Sequence, residues 1–295
     1  MKAAGPDVVL QLPWGAMGAT LGRLDGQQGA SEGPMSFAVP HADQMLVLDQ
    51  VNERLARFDA KGALIAETPI VAPTIQEFEP WEDDTFVLLD RLVRQSLIIV
   101  DRHGGVIREE PIVGMGIPEG GLVSAMIAEP DGIWLEVGHV ERVRVLDAQL
   151  APCPRTIRRG RPFSADHNLV AALDGPGAAA LWLEHDQTQS VPAKTQVQSA
   201  RFIARIVWAE IDAGRNVHAM FHQLEYDPVD HVTVTFERVL GVRYDPWLRE
   251  VGRFTSSRVI RRWEQFREFR VEPDGTTYQM AFDANGVTFL RWRWM

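Results

Sequence analysis

The sequence predicts an all-β fold, a six-bladed β-propeller closed by pairing of an N-terminal strand with the last blade. Three observations favour this fold. A unit of short apolar strands and tight turns recurs every ~40–50 residues, a propeller-type spacing. The last unit has only three strands before Met295, and residues 8–14 form a single strand without a hairpin partner. A ring in which that strand completes the last unit leaves no open sheet edge.

The first two units show the repeat most clearly. SFAVPHADQMLVLDQVNERLARFDAKG, which starts at Ser36, matches EFEPWEDDTFVLLDRLVRQSLIIVDRHG, which starts at Glu77. A third unit repeats ERLARFDA as ERVRVLDA, and the last unit carries the turn sequences EPDG and DANG. Alternating apolar runs separated by such dipeptides are typical of β-hairpins.

The chain is therefore predicted to be one domain, residues 1–295, in which a closing strand at 7–14 and a Gly-rich loop at 15–33 precede the blades. The predicted blades span residues 34–72, 74–114, 121–158, 165–196, 199–255 and 265–294. The Gly-rich loop is long enough to close over one mouth of the channel. Residues 256–269 (SSRVIRRWEQFREF) are expected to be an extended connection, with a short helix as the alternative.

Composition excludes several classes of function. The formal charge of -10 argues against nucleic-acid binding, which needs a positive surface. Cys153 is the only cysteine, so neither an internal disulfide nor a cysteine-based zinc site can form. No stretch resembles a signal peptide or approaches the ~20 apolar residues of a membrane span. We expect a soluble protein without a transmembrane segment, cytoplasmic as written and exported if an upstream leader was removed.

The first two units resemble NHL-type repeats, in which a strand ending in Asp, Asn or Arg precedes a strand ending in Phe-Asp-x-x-Gly. The residues that carry this resemblance are Gly33, Pro34, Asp49, Asn52, Arg54, Phe58, Asp59 and Gly62, followed by Asp90, Arg91, Asp101 and Gly104. The chain is also similar to uncharacterised bacterial six-bladed propellers. The resemblance implies a fold and no particular activity. Its repeated Asp and Arg residues are interpreted as structural, tying neighbouring hairpins through charge-assisted hydrogen bonds.

Ligands of propellers meet the channel or the loops at one mouth, so the residues at the starts of the inner strands are the candidates. They are Glu32, Ser36, Glu77, Glu119, Ser124, Arg201 and Glu268. Several carboxylates on one axis would form a funnel for a cation such as Ca²⁺, which prefers several oxygen ligands. The same carboxylates could equally be solvated charges at the rim.

The sequence contains two further candidate metal sites. Glu32-Gly33-Pro34 resembles the opening of six-bladed lactonases of the gluconolactonase type, which implies a metal ligand at Glu32; the family's other ligands have no convincing counterpart. His218 and His222 lie four residues apart and share one face of a strand, so they could bind zinc. HAMFH has no glutamate between its histidines and is not a zincin motif.

The sequence favours a non-catalytic binding or scaffold protein that recognises a protein, peptide or glycan, as part of a larger assembly. No cofactor is expected, because no complete catalytic set is visible. The alternative is a metal-dependent lactonase or hydrolase that holds Ca²⁺ or another divalent cation at Glu32, Glu77 and Glu268. A third hypothesis is an extracellular sensor or cell-surface module.

Overall fold

The computed structural model describes residues 5–26, 31–41, 44–256, 263–292 and 294. This part of the chain consists of β-strands, with three short 3-10 helices at Gln50–Asn52, Glu82–Asp84 and Gly120–Leu122. None of the helices described is long and apolar enough to span a bilayer.

The strands form six four-stranded antiparallel sheets arranged as the blades of a propeller. Two strands precede blade one: β1 (Asp7–Pro13) and β2 (Ser31–Glu32). Blades one to three comprise β3 (Ser36–His41), β4 (Gln44–Asp49), β5 (Arg54–Asp59) and β6 (Leu64–Pro69); β7 (Glu77–Pro80), β8 (Phe86–Asp90), β9 (Ser96–Val100) and β10 (Val106–Pro111); and β11 (Val123–Glu129), β12 (Gly132–Val137), β13 (Glu141–Asp147) and β14 (Pro152–Arg159).

The second half of the ring follows the same plan with less regular strands. Blades four and five comprise β15 (Arg161–Pro162), β16 (His167–Leu173), β17 (Ala179–His185) and β18 (Ala193–Gln196); and β19 (Ile203–Ile211), β20 (Val217–Tyr226), β21 (Val234–Tyr244) and β22 (Glu250–Ser256). After β23 (Trp263–Glu264), blade six comprises β24 (Phe269–Val271), β25 (Thr277–Phe282), β26 (Gly286–Trp292) and the N-terminal β1.

The predicted closure is confirmed. β1 pairs antiparallel with β26 along its length, with Val8 opposite Leu290 and Leu12 opposite Val287. The alternation of LQL in β1 turns Leu10 and Leu12 inward, and both join the apolar cluster between blades six and one. The ends of the chain therefore complete one sheet and contribute to one core.

Blade four departs from the prediction at its inner edge. Its innermost strand, β15, has two residues and lies ahead of residue 165, where the blade was expected to begin. Two residues cannot form a full channel wall, so β16 contacts the inner strand of blade five, β19, directly.

The connection between blades five and six is only partly described. β22 ends at Ser256, and β23 pairs in parallel with β2 through Trp263 and Glu264. Residues 257–262, which would carry most of the alternative short helix, lie outside the described residues.

Strand direction gives the ring two distinct faces. Each inner strand starts on the face where the chain arrives from the preceding blade, and the turns between second and third strands return to that face. We call it the entry face. The exit face carries the turns between first and second strands and between third and fourth strands. Residues on entry-face turns and links can therefore meet around one mouth of the channel.

The repeated Asp and Arg residues are structural, as interpreted, although they tie turns within a blade more than neighbouring hairpins. Asp49 accepts hydrogen bonds from Arg54 (2.9 Å) and from the backbone N–H of Gly22 (2.8 Å). Asp59 and Asp101 each accept two backbone N–H groups of the turn that follows them. The hydrogen bond from Gly22 to Asp49 therefore ties the described part of the Gly-rich loop to blade one.

Candidate functional site

The centre of the channel is crossed by an arginine. Arg267, just before β24 of blade six, forms a buried ion pair with Glu77 of blade two. Its Nη2 group also donates to the backbone oxygen of Met126 in blade three, at 2.6 Å. Blades six and three are opposite each other in a six-membered ring, so this side chain spans the axis.

A second arginine reaches the centre from the shortened blade four. Nε of Arg161 donates to Oε1 of Glu136 at 2.8 Å, and Nη1 donates to the backbone oxygen of Ala209. Arg161 and Arg267 both contact the ring of Trp208, each with Cζ 4.3 Å from the ring centroid. Cations attract the faces of aromatic rings, more strongly where water is excluded. We call Glu77, Glu136, Arg161, Trp208 and Arg267 the channel plug.

The carboxylates of the plug are already engaged by cations. Burial alone would raise the pKa of Glu136, but Arg161 and His139 hold it well below its usual range. Glu77 also accepts the backbone N–H of Met126 at 2.7 Å. The plug is therefore a charged, hydrogen-bonded core, which separates the two mouths of the channel.

Above the plug lies an entry cavity of about 590 Å³, and below it an exit cavity of about 320 Å³. The entry cavity has a volume typical of ligand pockets. Its wall includes three cationic or ionisable nitrogen side chains, Arg91, His139 and Arg205, together with Gln265 and Phe266. None of the described residues of the Gly-rich loop lines this cavity.

Irregularities in two strands create this wall. The pairing of β19 with β20 shifts between Ile203 and Arg205 and again between Ile206 and Trp208. Bulges re-aim side chains, and three consecutive residues, 205–207, line the cavity, whereas a regular strand alternates. Because β15 is short, residues 171–173 of β16 form the part of the wall next to β19.

Arg91 is held rigidly at the cavity edge. Its Nη1 group donates to the backbone oxygens of Gly121 (3.1 Å) and Val123 (3.0 Å), and its guanidinium lies over Phe266, 4.8 Å from the ring centroid. Burial lowers the pKa of Arg91, because it removes water from around the charged guanidinium. Within the described ranges it has no carboxylate within 4.0 Å, so the charge is neutralised only at longer range.

Glu268, a sequence-predicted candidate, lies near Arg205 of the cavity wall. It is half-buried beside β24 and accepts a hydrogen bond from Gln279 at 2.8 Å. Burial raises its pKa to about 7, while Gln279 and Arg205 favour the charged form and Glu237 disfavours it. At neutral pH this carboxyl is therefore partly protonated and only partly neutralises Arg205.

The raised pKa of Glu268 makes stability depend on pH. The folded protein retains this proton between pH 4.5 and about 7, where the unfolded chain has released it, so the free energy of unfolding falls as pH rises through that window. We expect Glu268→Gln to be more stable than the wild type at pH 8 by on the order of 2 kcal/mol, with no difference at pH 4. Urea denaturation at both pH values measures this, and the exposed Glu119→Gln is the matched control. An equal effect at both pH values would contradict it.

The other predicted residues are dispersed. Glu32 lies in β2, Glu119 is exposed ahead of the third 3-10 helix, and Ser36 is buried at the start of β3. Arg201 is exposed and paired with Glu225 at 2.7 Å. Ser124 lines the entry cavity and donates to Glu136 at 3.0 Å. The candidates were expected to surround one axis, but only Glu77, Ser124 and Glu268 lie in or beside the central assembly.

The proposed metal ligands are not brought together. Glu77 is paired with Arg267, His218 with Asp212 at 3.0 Å, and His222 with Glu237 at 2.9 Å. Within the described ranges, no three His, Cys, Asp or Glu side chains are grouped so as to hold a metal ion. Metal binding by these residues stays a prediction.

Sequence reasoning missed Arg91, His139, Arg161 and Arg205. Arg91 and His139 lie in turns between second and third strands, which share the entry face with the links that were searched. A search of the turns between second and third strands would therefore have identified Arg91 and His139 as candidates. Arg161 and Arg205 had no comparable signal, because a two-residue strand and a bulge position them.

No family model matches the chain, and no curated protein matches it. Among solved structures, the chain is similar to hydrazine synthase of Kuenenia stuttgartiensis, with a TM-score of 0.53 and 11% identity over 86% of this chain and 74% of that chain. It is also similar to a member of the DUF4221 family from Bacteroides vulgatus, with a TM-score of 0.53 and 9% identity over 99% of both chains. At such low identity these similarities support the fold alone, a six-bladed β-propeller.

Proposed function

We propose that this protein is a non-catalytic binding propeller that recognises a protein partner with its entry face. The observation that supports the proposal is a group of exposed apolar side chains around the entry cavity. We call it the apolar rim; its members are Leu92, Leu122, Leu173 and Phe202, each 43–50% exposed.

The rim is continuous with the cavity. Leu122 and Leu173 line the cavity directly. Leu92 follows the cavity residue Arg91, and a Cβ placed on Gly121 would lie 3.9 Å from its side chain. Phe202 packs against Gly177 in the turn that follows β16. Exposed apolar groups beside a polar pocket are typical of protein-binding surfaces.

The exit face differs in where its exposed apolar side chains lie. Two of its exposed large apolar side chains among the described residues, Val191 and Trp247, lie in turns between third and fourth strands, and Val106 is the first residue of the fourth strand of blade two. Those turns are at the outer edge of the ring, away from the exit mouth. The contrast between the faces favours the entry face as the one that meets a partner.

Photo-crosslinking tests the proposal. The photoreactive amino acid p-benzoylphenylalanine, placed singly at Leu92 or Leu173 in the native host, should capture the same partner from both positions. The matched exit-face positions, Val191 and Trp247, should capture none. Leu173→Glu should lower recovery of the complex at least about 10-fold by placing a charge in an apolar contact, whereas Val191→Glu should not. Equal capture from both faces, or none from the rim, would overturn the proposal.

A further inference from the structure

We infer that the entry cavity is a carboxylate-binding pocket in which Arg205 pairs with an acidic side chain of the protein partner. This inference rests on the proposed function and specifies the chemistry that the partner must present. It is carried by the placement of Arg205 and by the charge balance of the cavity.

Arg205 is placed as an anion-binding group. It lies on the channel wall between the two register shifts of β19 and is exposed to the entry cavity. Among the described residues no carboxylate lies within 4.0 Å of its guanidinium, unlike Arg161 and Arg267 of the plug. A planar guanidinium presents paired N–H donors that match a carboxylate.

The cavity carries an excess of cationic groups over available carboxylates. Arg91 adds a second guanidinium that makes hydrogen bonds to backbone oxygens only. Glu136, a buried carboxylate that contacts the cavity residues His139 and Ser124, is already engaged by Arg161. An incoming carboxylate would therefore gain cation contacts without displacing an existing ion pair of the plug.

Two carboxylates of the protein lie near these cations. Glu264 and Glu268 are close enough to influence Arg91 and Arg205 respectively. Because both the attraction by the arginines and the repulsion by the glutamates grow with the charge of the ligand, a comparison of carboxylate with phosphate has to be made by experiment. Leu122 and Leu173 of the apolar rim line the cavity, so an acidic side chain of a partner docked on the rim can reach it from that side.

Fluorescence anisotropy with short labelled peptides tests the inference. The probe is Gly-Leu-Glu-Glu-Leu-Gly; its comparators replace both glutamates with glutamine or with phosphoserine and keep the apolar residues. We expect the glutamate peptide to bind about 10- to 100-fold more tightly than the glutamine peptide, the usual size of a charge-assisted contact. Arg205→Gln should remove that difference, while Arg249→Gln, an exposed arginine on the exit face, should preserve it.

Equal binding of the glutamate and glutamine peptides, or no binding of either, would overturn the inference, as would unchanged selectivity in Arg205→Gln. Tighter binding of the phosphoserine peptide would replace carboxylate with phosphate as the ligand. Circular dichroism of Arg205→Gln confirms that the variant is folded. Crosslinking at the rim without selectivity for glutamate would leave the proposed function standing and refute only the carboxylate pocket. Selectivity for glutamate without crosslinking at the rim would support the pocket and refute the proposed docking of a protein on the entry face.

Discussion

Arg267→Met should lower the free energy of unfolding by about 3–5 kcal/mol, because it leaves a buried carboxylate without its cation. Glu77 is fully buried and its ion-pair partner within the described chain is Arg267. The same substitution removes the hydrogen bond to Met126 and the contact with Trp208. Urea denaturation followed by fluorescence measures the change.

Two variants make this result interpretable. Arg94→Met breaks an exposed ion pair with Glu109 and should cost less than about 1 kcal/mol. Glu77→Gln combined with Arg267→Met should recover part of the loss, because the neutral amide can still accept the N–H of Met126. If Arg267→Met cost no more than Arg94→Met, the plug would not be a structural core.

Leu12→Ala should also destabilise the protein strongly, by about 2–5 kcal/mol. Leu12 is 3% exposed and belongs to the cluster that joins β1 to blades six and one. Its truncation leaves a cavity where the ring closes, so the loss is expected to affect the whole domain. Thermal and urea unfolding monitored by circular dichroism measure it.

The neighbouring residue supplies the control. Gln11 is in the same strand with its side chain exposed, so Gln11→Ala should change stability by no more than about 0.5 kcal/mol. Equal effects of Leu12→Ala and Gln11→Ala would mean that β1 contributes no core packing, contrary to its pairing with β26.

The architecture was predictable because its signals are local. Alternating apolar residues, tight turns and the unpaired strand at residues 7–14 each restrict the chain within a few residues, and the ring follows from their repetition. Blade four was predicted less well, since a strand of two residues, Arg161–Pro162, has no periodicity to detect.

The candidate site was predictable only in part, because its residues are paired across the ring. Glu77 was identified from its position at the start of an inner strand, but its partner Arg267 is 190 residues away. A carboxylate that looked available to a metal is therefore neutralised by a distant arginine. The arginines that line the entry cavity, Arg91 and Arg205, come from blades two and five, so no single stretch of sequence shows that they share one cavity.

The pairing of β1 with β26 has a mechanical consequence. Asp7 lies opposite Arg291 and Pro13 opposite Gly286. The first residue of β1 and the last residues of β26 are therefore next to each other at one end of the strand pair. A pulling force applied between residues 7 and 292 would load the interstrand hydrogen bonds one after another rather than together. The ring should consequently unzip at low tension from this seam.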